Sequence, residues 1–164
     1  MMAQLLPLAA DVLQALRVGN HTLALAESCT GGLIAHLLTE IPGASDVLQG
    51  DVVAYANAVK ISVLGVEEAV LAEHGAVSEA VAAGMATGAR ARLGASVAVA
   101  TTGIAGPGGG SPQKPVGTVC LAVASAAGTR AWTCHFPDLS RADFKYAVAQ
   151  EALEALRAWA AQSA

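Results

Sequence analysis

Ser28, Cys29 and Thr30 are three adjacent residues able to attack an electrophile, and the pair Gly31-Gly32 follows them directly. The apolar run Thr22 to Ala26 before them has strand character, and Thr30 to Ile41 has the apolar spacing of a helix, with Leu33, Leu37, Leu38 and Ile41 on one side. Ser28 therefore falls at a strand end, just before a helix N-terminus. Unpaired backbone N–H groups and the helix dipole favour negative charge at such a place. The plainer reading is that Ser28 or Thr30 caps the helix, and that Cys29 is a small buried hydrophobe.

A second segment, Tyr55-Ala56-Asn57-Ala58-Val59-Lys60, changes that weighing. A lysine taken out of water loses much of its preference for the ammonium form and can act as a base toward serine. Serine with lysine is an established nucleophile pairing. Tyr55 and Lys60 are five apart, which puts Tyr55 at a strand end and Lys60 on the following turn or short helix.

The third segment is the glycine-rich stretch from Thr101 to Pro112, which holds Thr102, Gly103, Gly106 and Gly108 to Gly110 and is expected to be irregular throughout. Successive freed N–H groups can form a nest for phosphate or an oxyanion. The stretch lacks the GK[ST] of a P-loop and leads into another strand, which argues against a dinucleotide-binding turn. Lys114 and Arg141 are the cations placed to meet an anion beside it. A basic residue at a helix start opposes the dipole, so Arg141 calls for a partner there.

The remaining chain must position these groups. Its 164 residues are 54% hydrophobic and 13% charged, with a formal net charge of -4 and nine scattered Lys and Arg residues, only Arg90 and Arg92 lying close together. That balance excludes extended disorder and offers no basic face for nucleic acid. Cys29, Cys120 and Cys134 show no paired or metal-ligand spacing, which fits a reducing, cytoplasmic compartment. No apolar run reaches the roughly 20 residues of a membrane span.

Helices are expected over Met1 to Val18, Glu67 to His74, Ser78 to Leu93 with Ser78 as N-cap, and from Ser140 onward, where Ser140 and Asp143 resemble a capping box. Strands are expected over Asp46 to Ala56, Ala95 to Ala100, Val116 to Ala124 and Arg130 to Phe136. Strands alternating with helices, plus one hairpin, predict a three-layer α/β sandwich with a mixed, mostly parallel sheet, in one domain over residues 1–164.

Taken together, AESCTGG at 26–32, GDVVAYANAVKISVLGV at 50–66, TTGIAGPGGGSPQKPVGTV at 101–119 and the arginine of DLSRADFK at 138–145 resemble the CinA C-terminal domain family, whose characterised members are nicotinamide mononucleotide deamidases. The matches follow the family's order along nearly the whole chain. Leu139-Ser140 stands before Arg141 where the family carries Gly-Asp, and Gly108 stands where an acidic or amide residue is common.

The resemblance implies an α/β/α sandwich that hydrolyses the carboxamide of nicotinamide mononucleotide to nicotinic acid mononucleotide and ammonia, without metal or cofactor. It implies Ser28 as nucleophile and Lys60 and Tyr55 as proton-transfer partners. Substrate contacts fall to Thr30, Gly31, Thr102, Gly103, Gly106 and Arg141. It further implies a standalone form, a homo-oligomer in the cytoplasm, and neither nucleic acid nor membrane as partner. The rival expectations are a non-catalytic nucleotide-binding accessory protein linked to competence or DNA damage, and a phosphate-dependent transferase. The second is disfavoured because no pair of acidic residues is placed to hold magnesium.

Overall fold

Residue size alternates along the strands, and this alternation decides the layering. In the first strand Leu23 and Leu25 point one way and Ala24 and Ala26 the other; in the third Val97 and Val99 oppose Ala98 and Ala100; in the fourth Val119, Leu121 and Val123 oppose Cys120, Ala122 and Ala124. One face of the sheet is thus built of Leu and Val, and the other almost wholly of Ala.

The computed structural model describes residues 1–163. The elements are α1 (Met2–Val18), β1 (Leu23–Glu27), α2 (Leu33–Thr39), a 3-10 turn (Ala44–Asp46), β2 (Leu48–Val53), α3 (Asn57–Ser62), α4 (Glu68–His74), α5 (Glu79–Leu93), β3 (Val97–Gly103), β4 (Thr118–Ser125), β5 (Gly128–His135) and α6 (Arg141–Gln162). The sheet order is β2-β1-β3-β4-β5. β2, β1 and β3 are mutually parallel, β4 runs against β3, and β5 runs against β4. Four strands therefore point one way and only β4 the other.

Helices α1, α2 and α6 cover the Leu/Val face, where Leu13, Leu16, Leu37, Phe144, Val148 and Leu156 are buried. The Ala face is covered by α5, whose own buried residues are mostly small. α5 also lies close against the turn after α3, where a Cβ at Gly88 would overlap the carbonyl oxygen of Leu64. No helix among the described residues is long and apolar enough to cross a membrane.

Several boundaries differ from the sequence expectation, and three of them have a plain local cause. The helix expected from Thr30 begins at Leu33, because Gly31 and Gly32 take positive φ (64° and 92°) and form a separate turn. The strand expected to end at Ala100 continues through Thr101, Thr102 and Gly103, because those residues pair with Leu121, Cys120 and Val119 of β4. The strand expected from Asp46 begins at Leu48, since residues 44–46 close a 3-10 turn whose Val47 N–H donates to Ala44 O at 3.1 Å.

β1 connects to β2 through α2 on one face, and β2 crosses back over β1 to β3 through α5 on the other. The carboxyl ends of β1, β2 and β3 therefore open onto a crevice at a topological switch point, the usual ligand position in open α/β sheets.

Candidate active site

Ser28 follows the last residue of β1, and its N–H donates to Thr101 O at 2.9 Å, so the turn is tied to the neighbouring β3. The turn is held from below by a residue the sequence reading passed over. Glu27 is wholly buried and accepts from the N–H groups of Gly32 (3.0 Å), Ile34 (3.2 Å) and Ala35 (2.9 Å). It, rather than Ser28 or Thr30, satisfies the start of α2, which leaves the Ser28 hydroxyl unspent on capping. A fully buried acid flanked by Ala and Ser was the available signal, since Glu is almost never buried without partners.

Lys60 enters from α3, and its residue is 1% exposed. Its Nζ lies 3.1 Å from Ser28 Oγ, 2.8 Å from Ala54 O and 3.4 Å from Tyr55 O. Burial pushes its pKa down from the ordinary lysine value; the only ionisable group acting against that is the Cys29 thiol. A neutral amine has two N–H donors and one lone pair. Two carbonyls and one hydroxyl around Nζ match that inventory, with the lone pair left to accept the Ser28 proton.

The sequence-expected residues divide into those that line the cavity and those that support it. Ser28, Lys60, Tyr55, Thr102, Gly103 and Arg141 line a cavity of about 230 Å³, together with Cys29, Asn57, Ala76, Val77 and Ala105. Thr30, Gly31 and Gly106 do not line it. Thr30 is buried and its hydroxyl is paired with that of Thr101 at 2.9 Å, so it braces the turn from beneath. Gly31 supplies the positive-φ turn and faces the Lys145 side chain. Gly106 offers its carbonyl to Arg141 Nη1 at 2.9 Å.

Tyr55 does not meet Lys60 through its ring. The side chain is largely exposed, and its hydroxyl accepts from Arg141 Nη2 at 2.6 Å; only the Tyr55 carbonyl reaches toward Lys60. Arg141 thereby clasps the loop after β3 to the strand end after β2. Both acceptors are neutral, and Arg141 makes no ion pair among the described residues. Its charge stands uncompensated at the cavity rim. Lys114, the other expected cation, donates to His74 O at 2.6 Å and so caps the end of α4. Thr102 donates to Ala76 O at 2.8 Å, fixing the wall opposite Ser28.

Cys29 sits beside Ser28, but its thiol is no competitor. Burial raises its pKa from 9.0 to about 12, against a weaker opposing hydrogen bond from Thr101. At pH 8 its thiolate fraction is then about a thousandfold below that of a thiol of pKa 9, and the thiolate is the reactive species. Iodoacetamide at pH 8 should leave Cys29 unlabelled by mass spectrometry over hours, and Cys29→Ala should keep activity within about tenfold of the parent. Activity loss that tracks Cys29 labelling would move the nucleophile to sulfur.

Two larger surface hollows, about 530 and 480 Å³, lie between α1 and α6 and beside the β4–β5 turn. Neither contains a nucleophile paired with a base.

Fold and site together define a three-layer α/β/α protein with a buried serine–lysine pair in the switch-point crevice. The CinA C-terminal domain model matches residues 5–160. A CinA-like protein of Gemmatimonas aurantiaca is 50% identical over 150 residues, covering 92% of this chain and 35% of the relative. One from Salinibacter ruber is 62% identical over 112 residues, covering 68% of this chain and 27% of the relative. The chain thus spans about a third of the length of such curated relatives. Among solved structures, the competence/damage inducible protein CihA from Agrobacterium tumefaciens superposes with a TM-score of 0.91 at 43% identity, covering 94% of each chain. A CinA superfamily protein from Klebsiella pneumoniae gives 0.91 at 32% identity, covering 96% of this chain and 98% of the other. This chain belongs to the CinA C-terminal domain family.

Proposed function

We propose that the chain is an amidohydrolase that converts nicotinamide mononucleotide to nicotinic acid mononucleotide and ammonia. The observation that carries this reading is the Lys60 Nζ, buried and held 3.1 Å from Ser28 Oγ with no carboxylate to keep it charged. In the proposed reaction neutral Lys60 takes the Ser28 proton as Oγ bonds to the carboxamide carbon. The protonated lysine then gives that proton to the departing nitrogen, which leaves as ammonia. A water molecule, deprotonated by Lys60, attacks the resulting ester, and the Oγ–carbon bond breaks as Oγ takes that proton from Lys60, giving the acid and restoring Ser28 and the neutral amine.

A cavity of about 230 Å³ suits the amide-bearing ring better than a whole nucleotide. The ribose and phosphate would then extend to the rim, where the uncompensated Arg141 guanidinium favours an anion. Three free cysteines agree with a cytoplasmic setting. Self-association, with neither nucleic acid nor membrane as partner, belongs to the same reading.

The test is ammonia release from nicotinamide mononucleotide by the purified chain, with the acid product identified by mass spectrometry. Turnover is expected to proceed unchanged in EDTA. Binding of the nucleotide with no ammonia would favour the accessory-protein reading instead, and activity lost to chelator and restored by zinc would overturn the serine–lysine mechanism.

A further inference from the structure

Beneath the Ser28 turn the buried carboxyl group of Glu27 meets the half-buried one of Asp51. In the parallel register Leu25 stands opposite Asp51, so Asp51 and Glu27 project from the same face of the sheet, the one that α2 covers. Glu27 has both oxygens engaged by the N–H groups of Gly32, Ile34 and Ala35. Oδ1 of Asp51 is buried and finds no donor among the described residues; the group it faces is the Glu27 carboxyl. Two carboxylates in contact, relieved only by a backbone N–H of Glu27, strongly disfavour being ionised together.

We propose that Asp51 holds a proton that bridges it to Glu27, and that this bridge is a proton-dependent support for the turn carrying Ser28. Asp51 is a positioning residue in this scheme: it acts on Glu27, Glu27 on the first turn of α2, and the turn on the adjacent Ser28. Loss of the proton sets two negative charges side by side. Glu27 is then driven off the N–H groups it satisfies, and the α2 entrance loosens.

The charge environment agrees with this scheme. Burial, followed by the charge of Glu27 and the hydrogen bond between the two carboxyls, raises Asp51 from 3.8 to about 7, against a weaker backbone hydrogen bond from Glu27. Of the elements around it, α2 carries His36 and the 3-10 turn carries Asp46, both exposed, and α6 carries Lys145, which lies beside Gly31. Glu27 is the one charged group that acts on Asp51.

The sign follows from proton counting. Between pH 3.8 and about 7 the folded chain binds more protons at this site than the unfolded chain, so its stability falls as pH rises through that window and is flat above it. Asp51→Asn keeps an N–H donor for Glu27 and cannot ionise, so it lacks the decline.

The first measurement is the melting temperature of the parent and of Asp51→Asn from pH 5 to 9. The parent is expected to fall relative to the variant by about 5 °C between pH 5 and 8, with no further divergence above. The second is amide exchange at Gly32, Ile34 and Ala35. Above pH 7 their protection in the parent should drop about tenfold relative to the variant.

Should the variant not fold, ¹³C titration of the Asp51 carboxyl in the unsubstituted chain decides, with a midpoint near 7 expected. Parallel melting curves, or an Asp51 carboxyl that titrates below pH 5, overturn the proposal. The proposal rests on the deamidase reading only for why Ser28 needs holding. None of these readouts uses activity, so failure of that reading leaves them interpretable.

Discussion

Ser28→Ala is expected to abolish ammonia release from nicotinamide mononucleotide, with a loss in kcat on the order of 10⁴ to 10⁶, while the melting temperature stays within a few degrees of the parent. Both halves follow from the geometry. Among the described residues the Ser28 side chain carries the one hydroxyl lining the cavity in hydrogen-bond contact with Lys60. It is also not part of the scaffold, because Glu27 holds the helix entrance and the backbone of Ser28, not its side chain, ties the turn to Thr101. Lys60 keeps its two carbonyl partners when Oγ is removed. A Ser28→Ala enzyme within about tenfold of the parent would transfer the attack to water and leave serine a binding group.

Lys60→Arg is expected to fail almost as badly as Lys60→Ala, by about 10³-fold or more, although arginine preserves N–H donors and reach. A guanidinium does not give up its proton in a protein and so has no lone pair for the Ser28 hydrogen. Lys60→Met serves as the control for folding, since the cavity tolerates an apolar chain of similar length better than a fixed charge.

The parent's kcat/KM should rise with pH on its acidic side as Lys60 loses its proton. Because the folded pKa of Lys60 lies below its unfolded 10.5, the chain binds fewer protons folded than unfolded between those two values. Stability therefore increases with pH across that window. An active arginine variant, or a flat acidic limb, removes the base role.

Local chemistry was the part legible in the sequence. The Ser78 hydroxyl accepts from Val81 N–H and the Ser140 hydroxyl from Asp143 N–H, because a cap needs only residues within one turn of itself. Lys60 stood out because so few charges surround it. What was not legible depends on partners distant in the chain. Thr101 to Gly103 have loop composition and become strand through pairing with residues near 120. The start of α2 is set by an acid on the preceding strand, and the bond from Arg141 to Tyr55 spans 86 positions. The Tyr55 ring was expected to work beside Lys60 and instead belongs to that clasp, since only its backbone carbonyl lies on the lysine side.

The clasp also sets an order of events at the ribosome. Ser28 and Lys60, with β1, β2 and β3, leave the exit tunnel before α6, the last element, is free to pack. The rim is finished only when α6, packed against α1, brings Arg141 onto Tyr55 and Gly106. The three members of the clasp thus come from three separate stretches of chain, and the cavity rim closes only in a chain synthesised and released through α6.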